Sequence, residues 1–219
     1  MATSTNRRAP LSRERVLRAA IALADESGIE SLSMRKLADE LGVKAMSLYN
    51  HVANKDDLLD GIVDAAWGEI VLPTGEPDWK IAIREIAISA HETLLRHPWA
   101  TGLQMRQKPG LARLRYGDAV LGCFREAGGF SKDLTYHAYH ILESYVMGFT
   151  SLVLTYRAVD PDQFSGIAAS FLSGEFLAEY PNFTEHVQQH MEPEPGQDDV
   201  NAYELGLDLI LDGLERLRG

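Results

Sequence analysis

Apolar residues recur at every third or fourth position along most of the chain, and this spacing predicts helices throughout. The alternation of apolar and polar residues that is typical of half-buried strands is nearly absent. We therefore predict an all-α fold with about nine or ten helices. The segment LPTGEPDW, which contains several turn-forming residues, separates a shorter N-terminal region from a longer C-terminal one.

The N-terminal region is predicted to begin with a flexible arm over residues 1–11. A helix follows from about Ser12 to Ser27, and Gly28 is expected to end it. A later helix, capped by Asn54, carries apolar residues on to Ile70. The apolar face of the first helix consists of Val16, Leu17, Ala20, Ile21 and Leu23 or Ala24.

Residues 33–52 predict two short helices joined by a tight turn. Ser33 can cap the first helix, and Gly42 suits the left-handed conformation that ends it. The second helix is predicted over residues 45–52, with Leu48 and Val52 pointing inward. Small and polar residues at its exposed start suit insertion into the major groove of DNA. A helical hairpin with an ordinary solvated face is the alternative interpretation.

Charge separates the two regions of the chain. The net charge of −11 over the whole sequence is unfavourable for a DNA-binding protein. Residues 1–55, however, carry nine Lys and Arg against six Asp and Glu, a net charge of +3, and the remainder carries −14. The positive field is therefore confined to the region that contains the two short helices.

The sequence predicts a cytoplasmic protein. No apolar run approaches the roughly 20 residues that cross a bilayer, and the first ten residues lack the apolar core of a secretory signal. The single cysteine, Cys123, cannot form an internal disulfide and is interpreted as a small buried hydrophobic residue.

Residues 12–71 resemble the N-terminal domain of the tetracycline-repressor (TetR) family of transcriptional regulators. The resemblance rests on RERVLRAAIALADESGIESLSM, RKLADELGV and SLYNHVANKDDLL, in which the Tyr, the His, the NK pair and the Leu pair stand in register. It implies a three-helix helix-turn-helix domain with a fourth helix as connector. Residues 79–219 would then form the ligand-binding and dimerisation domain, and their order of segments is similar to that of tetracycline repressors themselves.

The resemblance also implies which residues meet DNA. Base contacts are expected at the end of the turn and the start of the second short helix, at Lys44, Ala45, Met46 and Ser47. Arg35 is expected to contribute from the preceding helix, where it can bind guanine or hold a phosphate. Tyr49 and His51 resemble phosphate and sugar contacts, and Lys55 resembles a phosphate anchor at a helix start. The alternative for Tyr49 is that its ring is partly buried and supports the helix-turn-helix domain.

The C-terminal region contains aromatic residues and a few polar ones that could line a pocket for an apolar, drug-sized effector. Ordinary core packing is the alternative for each candidate residue. The candidates are Trp67, His91, Trp99, Met105, Tyr116, His140, Tyr145 and Phe149.

No metal or other cofactor is predicted. Where tetracycline repressors carry a magnesium-site histidine this chain has Gln104, and Ile70 and Val71 occupy the region of another, so magnesium-dependent tetracycline binding is not expected. His137, His140 and Glu143 share one helix face at metal-like spacing, for which a polar stripe is the preferred interpretation. No motif of an enzyme is present.

Two long helical runs predict association with a second copy of the chain. The last helix, AYELGLDLILDGLERL, is apolar on more than one side, and so is the run from Ser131 to Tyr156. Together they suggest a four-helix dimer interface, as is usual in the family that the chain resembles. A wholly intramolecular core is the alternative.

These observations favour a ligand-responsive transcriptional regulator. The resemblance to the TetR family implies that it is a repressor. It would bind a palindrome-like operator as a homodimer and be released by a small apolar or aromatic effector. The alternative function is a small-molecule binding protein with a vestigial helix-turn-helix and no regulatory DNA binding.

Overall fold

A computed structural model of the protein describes residues 10–103, 109–158, 166, 179–185 and 201–218. The described part of the chain is helical and contains no strand, which confirms the all-α prediction. Most of the predicted N-terminal arm, as well as Gln104 and Met105, lie outside the described residues.

The helices follow the predicted order. They are α1 (Arg13–Ser27), α2 (Met34–Leu41), α3 (Ala45–Leu48), α4 (Lys55–Trp67), α5 (Trp79–Arg96), α6 (Pro98–Leu103), α7 (Leu111–Gly122), α8 (Lys132–Ala158) and α9 (Ala202–Arg218). A 3-10 turn, Ile29–Ser31, follows α1, and α7 continues into the π-helical turn Cys123–Ala127. None of the described helices is long and apolar enough to span a membrane.

Three of the N-terminal helices begin at a polar capping residue. Two of these residues, Ser33 and Asn54, were predicted as caps. Ser12, Ser33 and Asn54 each accept a hydrogen bond from the backbone N–H three residues later, at 3.2, 3.2 and 2.8 Å. Each cap satisfies one of the amide donors that a helix start leaves unpaired. The caps therefore set the starts of α1, α2 and α4 from local sequence alone.

The turn between α2 and α3 has the predicted left-handed glycine. Gly42 has φ 65° and ψ 38°. Its N–H donates to the Asp39 carbonyl at 3.1 Å, and the Val43 N–H donates to the Ala38 carbonyl at 2.9 Å. This pair of bonds closes the end of α2 and directs the chain into α3.

Helix α3 is shorter than predicted. The expected range 45–52 was too long, because α3 ends at Leu48 and residues 49–51 form a turn. The His51 N–H donates to the Leu48 carbonyl, three residues back, at 2.8 Å, and the Val52 N–H donates to the same carbonyl at 3.0 Å, so the chain tightens into a turn after Leu48. Leu48 and Val52 are nevertheless buried, as predicted.

Helix α4 connects the two regions of the molecule. At its start, Asp57 accepts two hydrogen bonds from the Arg13 guanidinium, at 2.8 and 3.0 Å, and one from the Ala53 N–H at 2.8 Å. At its end, Asp64 accepts a hydrogen bond from the Ala112 N–H at 2.8 Å and so caps α7. The helix is therefore tied to α1 at one end and to α7 at the other.

The C-terminal body is built on α5, α7, α8 and α9. Its core contains the fully buried residues Ile83, Ile86, Val120, Leu142 and Leu207. The outer sides of α8 and α9 leave apolar residues exposed, as the excess apolar character of these helices predicted. They are Tyr136, Ile141, Leu152 and Tyr156 on α8 and Leu205, Leu209 and Leu217 on α9.

Replacement of Asp57 by Asn is expected to lower the free energy of unfolding by about 1 kcal/mol or less at pH 7, since the pair with Arg13 is partly exposed. Hydrogen bonds from Arg13 and from the Ala53 N–H lower the pKa of Asp57. The contribution of ionised Asp57 to the free energy of unfolding is therefore fully present above the ordinary pKa of Asp. It is lost as the pH falls through the pKa of Asp57 in the folded protein. Urea unfolding at a series of pH values is expected to show a stability difference between the wild type and Asp57→Asn that shrinks as the pH is lowered.

Glu14→Gln provides the control for this prediction. Glu14 pairs with Arg18, one turn further along α1, and the two side chains are 81% and 74% exposed. The Glu14→Gln protein is expected to unfold like the wild type at every pH. A loss of stability as large as that of Asp57→Asn would contradict the special role of the Asp57 pair.

Candidate nucleic-acid interface and effector site

The residues predicted to contact DNA bases lie in α3, immediately before it and in the preceding helix α2. Arg35 is exposed in the first turn of α2, and Lys44 is exposed immediately before α3. Met46 is 74% exposed, an unusual position for a large apolar side chain. Ala45 and Ser47 are half-buried, and Ala45 packs against the core.

The predicted backbone contacts follow in the turn after α3 and at the start of α4. Tyr49 is 45% exposed, which leaves its ring accessible rather than enclosed in the core. His51 is half-buried, and its carbonyl accepts a hydrogen bond from Arg13 at 2.9 Å. Lys55 is exposed as the first residue of α4. The bond between Arg13 and His51 ties this turn to α1.

The cations of this region divide into paired and unpaired groups. Arg13 and Arg18 form ion pairs with Asp57 and Glu14. Among the described residues, Arg35, Lys44 and Lys55 form no ion pair. Free cations around an exposed short helix are the groups that bind phosphate and base edges. The structure therefore supplies an accessible basic surface where the sequence predicted one.

The candidate pocket residues fall into separate groups. Trp67 and Tyr116 lie together between α4 and α7, with ring centroids 5.0 Å apart in an edge-to-face arrangement. The Tyr116 hydroxyl donates to Glu143 on α8 at 2.6 Å. The Arg113 guanidinium carbon lies 5.3 Å from the centroid of the Trp67 ring. Burial raises the pKa of Glu143, so this is a polar cluster in an apolar environment.

A second group lies between α5, α8 and α9. His91 stacks on Tyr203 with ring centroids 3.9 Å apart, and Phe149 and Tyr145 each lie 5.3 Å from Tyr203. The Thr150 hydroxyl donates to the Val146 carbonyl at 2.6 Å and therefore accepts from Nδ1 of His91 at 2.8 Å. Burial lowers the pKa of His91, which favours the neutral ring. Tyr203 is central to this group but was not among the sequence candidates.

Two candidates lie apart from both groups. Trp99 is buried against α1, where its indole N–H donates to Asp25 at 2.7 Å. His140 is exposed on α8, and its Nδ1 lies 2.8 Å from the Tyr136 carbonyl. Among the described residues, no group of three His, Cys, Asp or Glu side chains could hold a metal ion.

Sequence reasoning missed a buried histidine at the junction of the two regions. His97 is 6% exposed and follows α5. Its Nδ1 lies 2.8 Å from Asp25 on α1, and its Nε2 lies 3.2 Å from Glu69, just after α4. Because each ring nitrogen faces a carboxylate, the ring can donate to both only as an imidazolium. Hydrogen bonds from His97 and Arg96 outweigh burial and lower the pKa of Glu69.

Family and structural comparisons agree with this architecture. Residues 72–218 match the family described as "Tetracyclin repressor-like, C-terminal domain", and residues 16–62 match "Bacterial regulatory proteins, tetR family". The chain is 38% identical to an HTH-type transcriptional regulator of Saccharopolyspora erythraea over 155 residues, which cover 68% of this chain and 64% of that relative. It is 30% identical to the class C tetracycline repressor protein of Escherichia coli, over 95% of this chain and 92% of the relative.

A solved structure extends the likeness to the whole fold. The TetR family protein ActR of Streptomyces coelicolor, in complex with actinorhodin, superposes with a TM-score of 0.74. The two sequences are 28% identical, and the match covers 96% of this chain and 100% of ActR. The likeness therefore covers both the N-terminal helices and the helical body.

Replacement of His97 by Ala is expected to lower the free energy of unfolding by about 1–2 kcal/mol, because Asp25 and Glu69 lose a hydrogen-bonding partner while remaining only partly exposed. Chemical unfolding at fixed protein concentration measures this change. The control is His137→Ala, which removes an exposed imidazole from α8 and should leave stability nearly unchanged. Equal effects of the two substitutions would contradict the bridging role of His97.

Proposed function

Because the chain belongs to the TetR family of bacterial regulatory proteins, we propose that it is a ligand-responsive transcriptional repressor. In this proposal, a homodimer binds a palindrome-like operator and a small apolar or aromatic effector releases it. The observation that carries the DNA-binding part is the set of unpaired cations, Arg35, Lys44 and Lys55, around the exposed helix α3. These cations belong to a positive segment in an otherwise acidic chain, so the charge distribution favours a single docking orientation.

The exposed apolar residues of α8 and α9 support the homodimer. A face that carries Leu205, Leu209, Ile141 and Leu152 is unfavourable in water and suits self-association through a four-helix interface. Two copies related by a two-fold axis would present two α3 helices about 34–36 Å apart, one turn of DNA. The dimer thus explains the exposed apolar surface and supplies the symmetry that an inverted-repeat operator requires.

The effector part is supported by the body. The cluster around Trp67 and Tyr116 and the aromatic group around Tyr203 both contain rings with a few polar groups, which is the composition of small-molecule sites. The relative ActR is known in complex with actinorhodin. A ligand that favours one arrangement of these helices would alter the position of α4 and hence the affinity for DNA.

Selection from a random oligonucleotide pool is expected to enrich an inverted repeat, and sedimentation is expected to show two chains per duplex. Leu209→Asp should weaken both the dimer and operator binding, because it places a charge in the proposed interface. Leu111→Asp is the matched control, since Leu111 on α7 is 67% exposed and Leu209 is 64% exposed. A monomer that enriches no sequence would refute the proposal.

Lys55→Ala is expected to weaken binding to all DNA sequences and to lower the slope of log affinity against log salt by about 1. Arg35→Ala is expected to relax preference at one base pair instead. Affinity titrations at several salt concentrations, together with selection profiles, separate the two roles. Lys132→Ala, at an exposed lysine in the first turn of α8, is the control and should change neither. An unchanged salt slope for Lys55→Ala would rule out its phosphate contact.

A further inference from the structure

The chain contains three tryptophans, and their indole groups are not satisfied equally. All three are buried, with 3, 3 and 7% of Trp67, Trp79 and Trp99 exposed. Trp79 donates to Glu215 at 3.0 Å, and Trp99 donates to Asp25 at 2.7 Å. Among the described residues, the Nε1–H of Trp67 has no acceptor. A buried N–H without a partner is rare and destabilising, so it calls for a reason.

The surroundings of Trp67 point to that reason. It is the last residue of α4 and lies edge-to-face with Tyr116, whose hydroxyl donates to Glu143. Tyr139 of α8 also lies at this junction, since its hydroxyl oxygen is 3.6 Å from the position that a Cβ on Gly117 would take. Three aromatic rings from three helices therefore meet at this junction, together with one unused donor, one carboxylate and the Arg113 guanidinium that lies over the Trp67 ring.

The polar groups of this junction have definite requirements. The indole N–H can only donate, so it requires an acceptor oxygen or nitrogen. A carboxylate offers about four acceptor positions, so Glu143 can accept a further hydroxyl besides that of Tyr116. The aromatic rings favour a flat apolar body. A carbonyl on a flat ring system meets the first requirement, and a phenolic hydroxyl on the same ring system meets the second.

We propose that the effector is a planar aromatic compound with a ring carbonyl and a hydroxyl group, and that its carbonyl oxygen accepts a hydrogen bond from the Trp67 indole. This assignment rests on the ligand-responsive function proposed above. It makes Trp67 a specificity-determining residue, because a ligand without the acceptor would bury the N–H unpaired. The ligand would bind where the end of α4 meets α7 and α8.

The probes are 2-hydroxy-9-fluorenone and 2-hydroxyfluorene, flat molecules that differ in the presence of the ring carbonyl. Calorimetry on the free protein is expected to show the ketone binding about tenfold more tightly. Trp67→Phe, which keeps an aromatic ring but removes the N–H, should abolish that preference. Trp79→Phe is the matched control, since its N–H already has a partner, and it should retain the preference.

A spectroscopic measurement on the wild type guards against effects of misfolding. The three indole N–H signals are assigned with the variants, and the ketone is expected to shift the Trp67 signal downfield while 2-hydroxyfluorene does not. 9-Fluorenone, which lacks the hydroxyl, should bind more weakly than its hydroxylated form in the wild type and equally in Glu143→Ala.

The results separate this inference from the function that it rests on. Equal affinity for the two fluorenes, failure of the ketone to bind, or a preference that survives in Trp67→Phe would overturn the assignment of the effector and leave operator binding intact. Failure of the ligand-free protein to bind any selected DNA would overturn the proposed function itself, whichever probe binds.

Discussion

Helix α4 is held at both of its ends, and this determines how the N-terminal helices α1 to α3, the small domain, meet the body. Its first turn is held against α1 by the paired hydrogen bonds between Arg13 and Asp57. A close contact follows one turn later, where a Cβ on Gly61 would lie 2.7 Å from Leu17. The Leu17 side chain therefore packs directly on the backbone of α4 at Gly61, which brings α1 and α4 close together. The surface that carries α3 therefore has a defined orientation relative to α4.

The body is joined to this small domain by a second, polar connection. His97 bridges Asp25 and Glu69, and Trp99 donates to the same Asp25 carboxylate. Polar contacts of this kind are directional, so a small rotation between the regions breaks them, whereas apolar contacts tolerate sliding. A junction built from a few directional bonds suits a protein that alternates between two arrangements. Its strength decides how readily the small domain leaves the orientation seen here.

Local rules were sufficient to predict part of this architecture. The caps at Ser33 and Asn54 and the left-handed turn at Gly42 each depend on residues close in sequence, and the structure has all of them. The length of α3 was predicted wrongly because the chain tightens into a turn after Leu48, where the His51 N–H bonds to a carbonyl three residues back, and periodicity does not reveal this. The junction was missed because His97 lies 72 residues from Asp25 and neither residue belongs to a recognisable motif. For the same reason, nothing in the sequence near Trp99 distinguishes a role at the junction from a role in a pocket.

The last turn of α4 also explains how an event in the body can reach DNA. Asp64 caps α7 through the Ala112 N–H, and Trp67, three residues later, packs on Tyr116, four residues along α7. The polar contact and the aromatic contact lie about one helical turn apart on both helices. Because both contacts join the same two helices, a shift of α7 also moves the end of α4. Because an α-helix of 13 residues is a nearly rigid rod of about 20 Å, displacement of its end is transmitted to Asp57 and Arg13 at its start. Arg13 also holds the carbonyl of His51, in the turn that directly follows α3. A continuous set of contacts therefore runs from the aromatic cluster of the body to α3, the helix for which DNA contact is proposed.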